Sequence, residues 1–436
     1  MSATGPVTEL GALGSVHRAW IDPRGLVGLT GARWVVDWWI GADDRWHVPA
    51  VETAVRQRLA ADGPVPETVM RVPGGDAVQR AYAVGGAGGL VAIEVENRSP
   101  VPFVVAFVLR PALRGDRRGR LARIALDGTV VMTDGRPALV VPRPPSRWVV
   151  ATTGGEPALE IVRSGRAVAG PFVAARDRGG ALEIALLYPL SHRSTLRVGL
   201  LPGVGETGEA GRVDLTRVPS AADATRGWAA QLGRGMRVEL PDEGVQRGVD
   251  AARAALLLAA ESSSRPTAAV VAVLEEWGFA PEAAAARERL RWRARRALAH
   301  VTTVRPHATG GRWEALRARL DAASPTWAWA DGPAPTLRLV RSLLVGDDDA
   351  GAVALVPELP PAWLGRDLAV HNAPTRSGRV SYALRWHGPR PTVLWEVSGA
   401  PAGVRVRAPG LDAVWASDRA TGEVLLEPVV AAPGAS

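Results

Sequence analysis

One stretch of this sequence, Asp242 to Val345, carries helical periodicity and lies between two regions that read as short strands. That order constrains the fold more than any local motif does. Alternating strands and helices would call for a parallel sheet, whereas runs of strands followed by a run of helices call for segregated layers. From Ser15 to about Leu201 nearly every segment reads as strand, for example Ala32–Ile40, Val78–Val84, Leu90–Glu96, Phe103–Leu109 and Leu182–Tyr188. Turns rich in Gly, Pro, Asp and Asn separate them, as antiparallel strands require. A sandwich of about a dozen or more strands is therefore expected over residues 1–220.

Within the central stretch Asp242 is placed to cap a helix whose Val245, Val249, Ala252, Leu256 and Ala259 fall on one stripe. Ser264–Pro266 reads as the cap of a second helix ending at Gly278. Pro281 opens a third that runs to about His300. A fourth spans Arg312 to Ala323, and a fifth runs from Pro335 to before Gly346. A sixth would be Ala222–Gly233. The short loops between them favour antiparallel neighbours. After Gly346–Asp349 the pattern returns to strands such as Leu368–His371, Arg379–Trp386 and Thr392–Val397.

Several function classes are disfavoured. The chain has no cysteine, hence no thiolate nucleophile, thiolate metal site or disulfide. Its net charge is +8, and all 52 basic residues are Arg, spread along the chain among 44 acids. The densest cluster (Arg287, Arg289, Arg291, Arg293, Arg295, Arg296) reads as a solvated helix face, so no nucleic-acid partner is expected. No apolar run approaches the ~20 residues of a membrane helix, and the start of the chain lacks the basic and apolar regions of a secretory signal. Cytoplasmic residence is the expectation. Pro202–Gly211 is Gly-rich, but no GK[ST] follows it, so it is not a phosphate loop. The seven histidines show no paired ligand spacing, the consecutive Asp347, Asp348 and Asp349 do not fit a calcium loop, and neither Ser99 nor Ser191 has G-x-S-x-G context. No cofactor or metal is expected.

The most unusual local cluster is Trp34, Asp37, Trp38, Trp39, Asp43, Asp44, Arg45, Trp46 and His47. Aromatic faces stack on sugar rings, and acids with Arg bond hydroxyls. The stronger reading is that these aromatics fill a sandwich core or a domain interface, and alternation puts Trp34, Val36 and Trp38 on one face. In the helical stretch the candidate acids are Glu261, Glu275, Glu276, Glu282, Glu288, Glu314, Asp321 and Asp331. Glu276, beside Trp277, is the first candidate for a partly buried acid. Asp331, in the turn with Trp327 and Trp329, is the second. The bland alternative for each is an ordinary surface acid.

Two groups of segments resemble a known family. DWWIGADDRWHVP, ETVMRVPGGDAVQRAYAV and IEVENRSPVPFVVAFVLRP lie in the N-terminal half, and LVPELPPAWLGRDLAVHNAPTRSGRVSYALRWHGPRPTVLWEV lies near the end. They resemble actinobacterial proteins of the six-hairpin glycosidase-like group, akin to glucoamylase-like and glycogen-debranching enzymes. The resemblance implies a β-sandwich, an (α/α) barrel and a C-terminal β region. It also implies hydrolysis of glycosidic bonds by two carboxylates in the barrel. The helices read here are roughly half of what six hairpins require, and SPTWAWADGPAPTLRLVRSLLV resembles a shortened form of a longer family segment. The expected fold is thus α+β multidomain, with a large N-terminal antiparallel β-sandwich (1–220), a reduced (α/α) hairpin domain (221–350) and a small C-terminal β region (351–436).

Two functions follow. The favoured one is a carbohydrate-related protein with weak or lost hydrolase activity that binds a saccharide, or assembles with a partner or a second copy. The alternative is an active glycoside hydrolase on α-glucan-type saccharides. Glu276 and Asp331 would be the catalytic pair. Trp38, Trp39, Asp44, Arg45, Trp46, Trp327 and Trp329 would contact sugar.

Overall fold

In the computed structural model the described residues are 6–60, 63–85, 89–114, 117–152, 154–202, 213–262, 266–290, 311–324, 326–347, 351–400 and 403–429. The chain divides into two compact units, Met1–Gly227 and Trp228–Ser436.

The first unit holds two large sheets of nine strands each, with every neighbouring pair antiparallel. One sheet runs in the order Thr8–Gly11, Arg18–Ile21, Val27–Leu29, Trp34–Gly41, Phe103–Pro111, Glu183–Leu190, Arg147–Ala151 and Val168–Ala169; Trp46–His47 pairs with Trp34–Gly41. The other runs Ala174–Arg176, Arg123–Asp127, Val130–Thr133, Arg136–Val140, Thr195–Leu200, Leu90–Asn97, Gly75–Val84, Pro66–Val72 and Val55–Leu59. Alternate residues of both sheets meet in one core. Trp34, Val36, Trp38 and Ile40 come from the first, and Met70, Ala81, Ile93 and Val198 from the second. This is the sandwich that the period-2 patterning predicts.

The outer faces are covered separately. Helix α1 (Ala158–Arg163) lays Ala158 and Val162 over Trp39, Ala106, Val149 and Leu187 of the first sheet. Val218, Ala221 and Ala224 cover Tyr82 and Ala92 of the second. Three tryptophans lie flat on glycines across a strand pair. Trp20 faces Gly28, Trp46 faces Gly41 and, in the second unit, Trp395 faces Gly422. A Cβ on Gly28 would sit 2.3 Å from the Trp20 ring, so the absent side chain is what admits the indole.

Leu215 and Val218 cover Val130 and Val140 of the second sheet, and the part of its outer surface around Glu67 and Glu96 is charged. Glu67 bonds Arg58 and Arg80, while Glu96 pairs with Arg80 and Arg98. Burial pushes both carboxyls up, but these guanidinium groups prevail and hold them below the ordinary value of 4.5. A carboxyl with a depressed folded-state pKa contributes stability above its unfolded pKa, and that contribution is lost as pH falls through the folded value. Stability should therefore be level from neutral pH down to about 5 and fall below about 4.5. In urea melts against pH, Glu67→Gln should shallow that acid limb; an unchanged limb would count against this origin.

In the second unit the described helices are α2 (Ala221–Leu232, which begins in the first unit), α3 (Glu243–Ser262), α4 (Ala268–Glu276), α5 (Ala280–Arg289), α6 (Arg312–Ala323) and α7 (Ala334–Leu344). Asp242 caps α3, its Oδ1 accepting from Val245 N at 3.0 Å. The cap of α4 is Thr267 rather than Ser264, because the Thr267 hydroxyl is the oxygen that meets the free Val270 N–H. Among the described residues α5 ends at Arg289, where Leu290 turns extended; the expected continuation to His300 lies outside them. Helix α3 packs against α4, α5, α6 and α7, and α6 packs against α7. Strand Arg237–Glu239, before the helices, pairs with Leu368–Thr375, after them. That five-stranded sheet continues through Gly378–His387, Arg390–Ser398 and Thr421–Leu425. A four-stranded sheet (Val345–Asp347, Val353–Leu355, Val406–Ala408, Asp412–Ser417) contains one parallel pair. Helices and C-terminal strands thus belong to one compact unit.

Candidate functional site

The site is the turn between α6 and α7. Arg319, Leu320 and Ala323 lie on the last turns of α6, and α7 follows the N-cap Pro333 with Pro335 in its first turn, where a fixed φ suits the helix. Between them Trp327 adopts φ +54°, a left-handed conformation that a bulky residue rarely takes. The Trp327 ring reaches α3 at Gly248, where a Cβ would lie 2.9 Å from the indole and 2.4 Å from Leu320. Trp327 and Trp329 stack with ring centroids 6.4 Å apart and planes 28° apart, and both are half-buried. Gly332, at φ +82°, lets the chain turn back, donating its N–H to Trp329 O at 3.2 Å.

Asp331 ends this turn. Arg319 grips its carboxylate with two prongs, Nη1 to Oδ2 at 3.0 Å and Nη2 to Oδ1 at 2.6 Å. Arg319 Nε donates to Thr336 Oγ1 at 3.0 Å, which ties the pair to α7. The bonds from Arg319 hold the Asp331 carboxyl below the ordinary value of 3.8.

Glu276 is the last residue of α4, with a side chain 28% exposed. Its two oxygens accept from Arg338 of α7, Oε1 at 3.2 Å and Oε2 at 3.3 Å. The neighbouring Trp277 is fully buried, donates Nε1–H to Leu337 O at 3.2 Å and lies under the Arg253 guanidinium. Glu276 and Asp331 are thus each held by a different arginine.

The N-terminal cluster lies in the first unit. Trp38 is enclosed in the sandwich core, its Nε1 donating to Arg24 O at 3.1 Å. Trp39 points to the opposite face of the same sheet and is enclosed with Val48 and Ala106. Neither ring presents a face to a ligand. Trp46 is half-buried over Gly41. Asp44 and Arg45 are exposed. Asp44 bonds His47 Nε2 at 2.9 Å, which holds its carboxyl below the ordinary value. Arg45 bonds both oxygens of Glu52, with Nη2 3.0 Å from Oε2.

The partners Arg319, Arg338 and Glu52 were not among the residues singled out from the sequence. They lie 12, 62 and 7 positions from the residues they hold, separations that carry no local signal. Of the Arg cluster, Arg291, Arg293, Arg295 and Arg296 lie outside the described residues, as do Asp348 and Asp349. Among the described residues no group of three or more His, Asp or Glu could hold a metal ion, and no helix is long and apolar enough to cross a membrane. Compared with protein-family models and with curated proteins, the chain finds no match.

Proposed function

We propose that this chain is a member of the six-hairpin glycosidase-like group that binds a saccharide through the Trp327–Asp331 turn and does not hydrolyse it. The observation that carries the reading is the half-exposed, stacked Trp327–Trp329 pair ending on an exposed, ionised carboxylate. Indole faces suit the C–H faces of pyranose rings, and a carboxylate accepts from their hydroxyls.

The absence of hydrolysis is supported by what holds the acids. A glycosidase needs one carboxyl that keeps its proton near neutral pH to protonate the leaving oxygen. Arg319 drives Asp331 the opposite way, and both Glu276 oxygens are taken by Arg338.

The test is a panel of α- and β-linked oligosaccharides, read by tryptophan fluorescence for binding and by reducing-sugar release for hydrolysis. Binding without release is expected. Trp327→Ala or Trp329→Ala should weaken it at least about fivefold. Sugar release by the wild type that disappears in Glu276→Gln or Asp331→Asn would overturn the reading in favour of an enzyme.

A further inference from the structure

We infer that Asp331 determines what this turn accepts, admitting neutral polyhydroxylated sugars and excluding uronic and phosphorylated ones. The inference rests on the saccharide reading above and adds ligand class to it.

The geometry sets which charge an incoming ligand meets. The Asp331 side chain is 59% exposed, whereas that of Arg319 is 24% exposed. A ligand approaching the Trp pair therefore meets the carboxylate before the guanidinium. The two-pronged face of Arg319 is already occupied by Asp331, its Nε by Thr336, and its Nη2 also lies 3.5 Å from Gly332 O. An incoming carboxylate or phosphate finds no open fork, although such a fork is what makes arginine a receptor for these groups.

The carboxylate itself only accepts. Of its roughly four lone-pair positions, Arg319 takes two, which leaves room for a hydroxyl donor. A sugar hydroxyl there makes a charge-assisted bond, while an anionic group meets the negative, more exposed end of the Asp331–Arg319 pair and finds the guanidinium donors already taken. Because Arg319 holds Asp331 ionised below its ordinary value of 3.8, acceptance should persist from neutral pH down past that value and fail only at lower pH, as the carboxyl gains a proton and becomes a donor.

The experiment is calorimetric titration of the full chain with a panel of neutral gluco-, galacto-, manno- and xylo-oligosaccharides, together with oligogalacturonides and hexose phosphates. Wild type and Asp331→Asn are compared, with thermal melts confirming that the variant is folded. The inference requires that wild type bind a neutral sugar at least about tenfold more tightly than its acidic counterpart. Asp331→Asn should lose about tenfold for the neutral sugar and narrow or reverse the difference. Acidic sugars that bind as tightly as neutral ones, or neutral binding unchanged in Asp331→Asn, would overturn the inference and leave saccharide binding standing. No binding to any member of the panel would overturn the saccharide reading, and this inference with it.

Discussion

Gly25→Ala should destabilise the first unit by about 3 kcal/mol or more, combining the strain of a left-handed alanine with overpacking of a core. Gly25 has φ +88° in the turn Asp22–Leu26, which joins Arg18–Ile21 to Val27–Leu29. An added Cβ would lie 2.2 Å from Gln79 Oε1 and 2.4 Å from Trp38 Nε1, both on enclosed side chains that cannot swing into solvent.

Moving them would also break the bonds that hold the turn in place. Gln79 Nε2 donates to Gly25 O at 2.9 Å, Trp38 Nε1 to Arg24 O at 3.1 Å and Gln57 Nε2 to Asp22 O at 2.8 Å. Gln79 and Trp38 thereby satisfy the backbone carbonyls of Gly25 and Arg24, while Asp22 O also accepts from Gly25 N at 3.0 Å. The control is Gly128→Ala. Gly128 has φ +59° and nothing within 4 Å of the added carbon, so its cost should be only about 1 kcal/mol. Urea melts of both variants decide the matter, and equal losses would refute the packing argument.

Glu94→Ala should cost about 3–5 kcal/mol, because it leaves a largely buried arginine without its counter-charge. Glu94 is 5% exposed on the outer face of the second sheet. Its Oε1 accepts from Tyr82 Oη at 2.6 Å, from Arg197 Nε at 2.9 Å and Nη2 at 2.6 Å, and from Ala221 N at 3.3 Å. Arg197 Nη1 in turn donates to Leu215 O and Val218 O. One carboxylate therefore ties three strands, its own and those of Tyr82 and Arg197, to the start of α2. The Tyr82 hydroxyl, raised well above its ordinary range by burial and by Glu94, stays protonated and can donate.

Tyr82→Phe removes a hydroxyl whose one proton lies between Glu94 Oε1 at 2.6 Å and Pro219 O at 2.8 Å, and should cost about 1–2 kcal/mol. The double variant Glu94→Leu/Arg197→Leu should recover part of the single-variant loss, since it removes both charges together. A double variant less stable than Glu94→Ala would show that the loss does not come from the stranded charge.

The alternation of Trp34, Val36 and Trp38 was enough to put those side chains on one face, because a strand sends alternate residues to opposite faces whatever its partners; that this face is the sandwich core was decided by the second sheet. The same rule accounts for Trp39 on the other face. The Asp242 cap was legible for a similar reason: capping is a contact between residues three apart. Strand Arg237–Glu239 was not legible. Its three residues become a strand only beside Leu368–Thr375, more than a hundred positions later.

The candidate site divides along the same line. Trp327, Trp329 and Asp331 fall within five residues, so their proximity was set by chain connectivity. By itself the sequence determined the period of the longer elements, the Asp242 cap and the clustering of aromatic with acidic residues, all of which depend on interactions a few residues apart. Only the tertiary structure decided which guanidinium meets which carboxylate. Arg319 holds Asp331 from the preceding helix, and Arg338 holds Glu276 from a helix 62 positions away. An ion pair requires matching charge and a distance of about 3 Å, and sequence spacing specifies only the first of these once the residues lie on different elements.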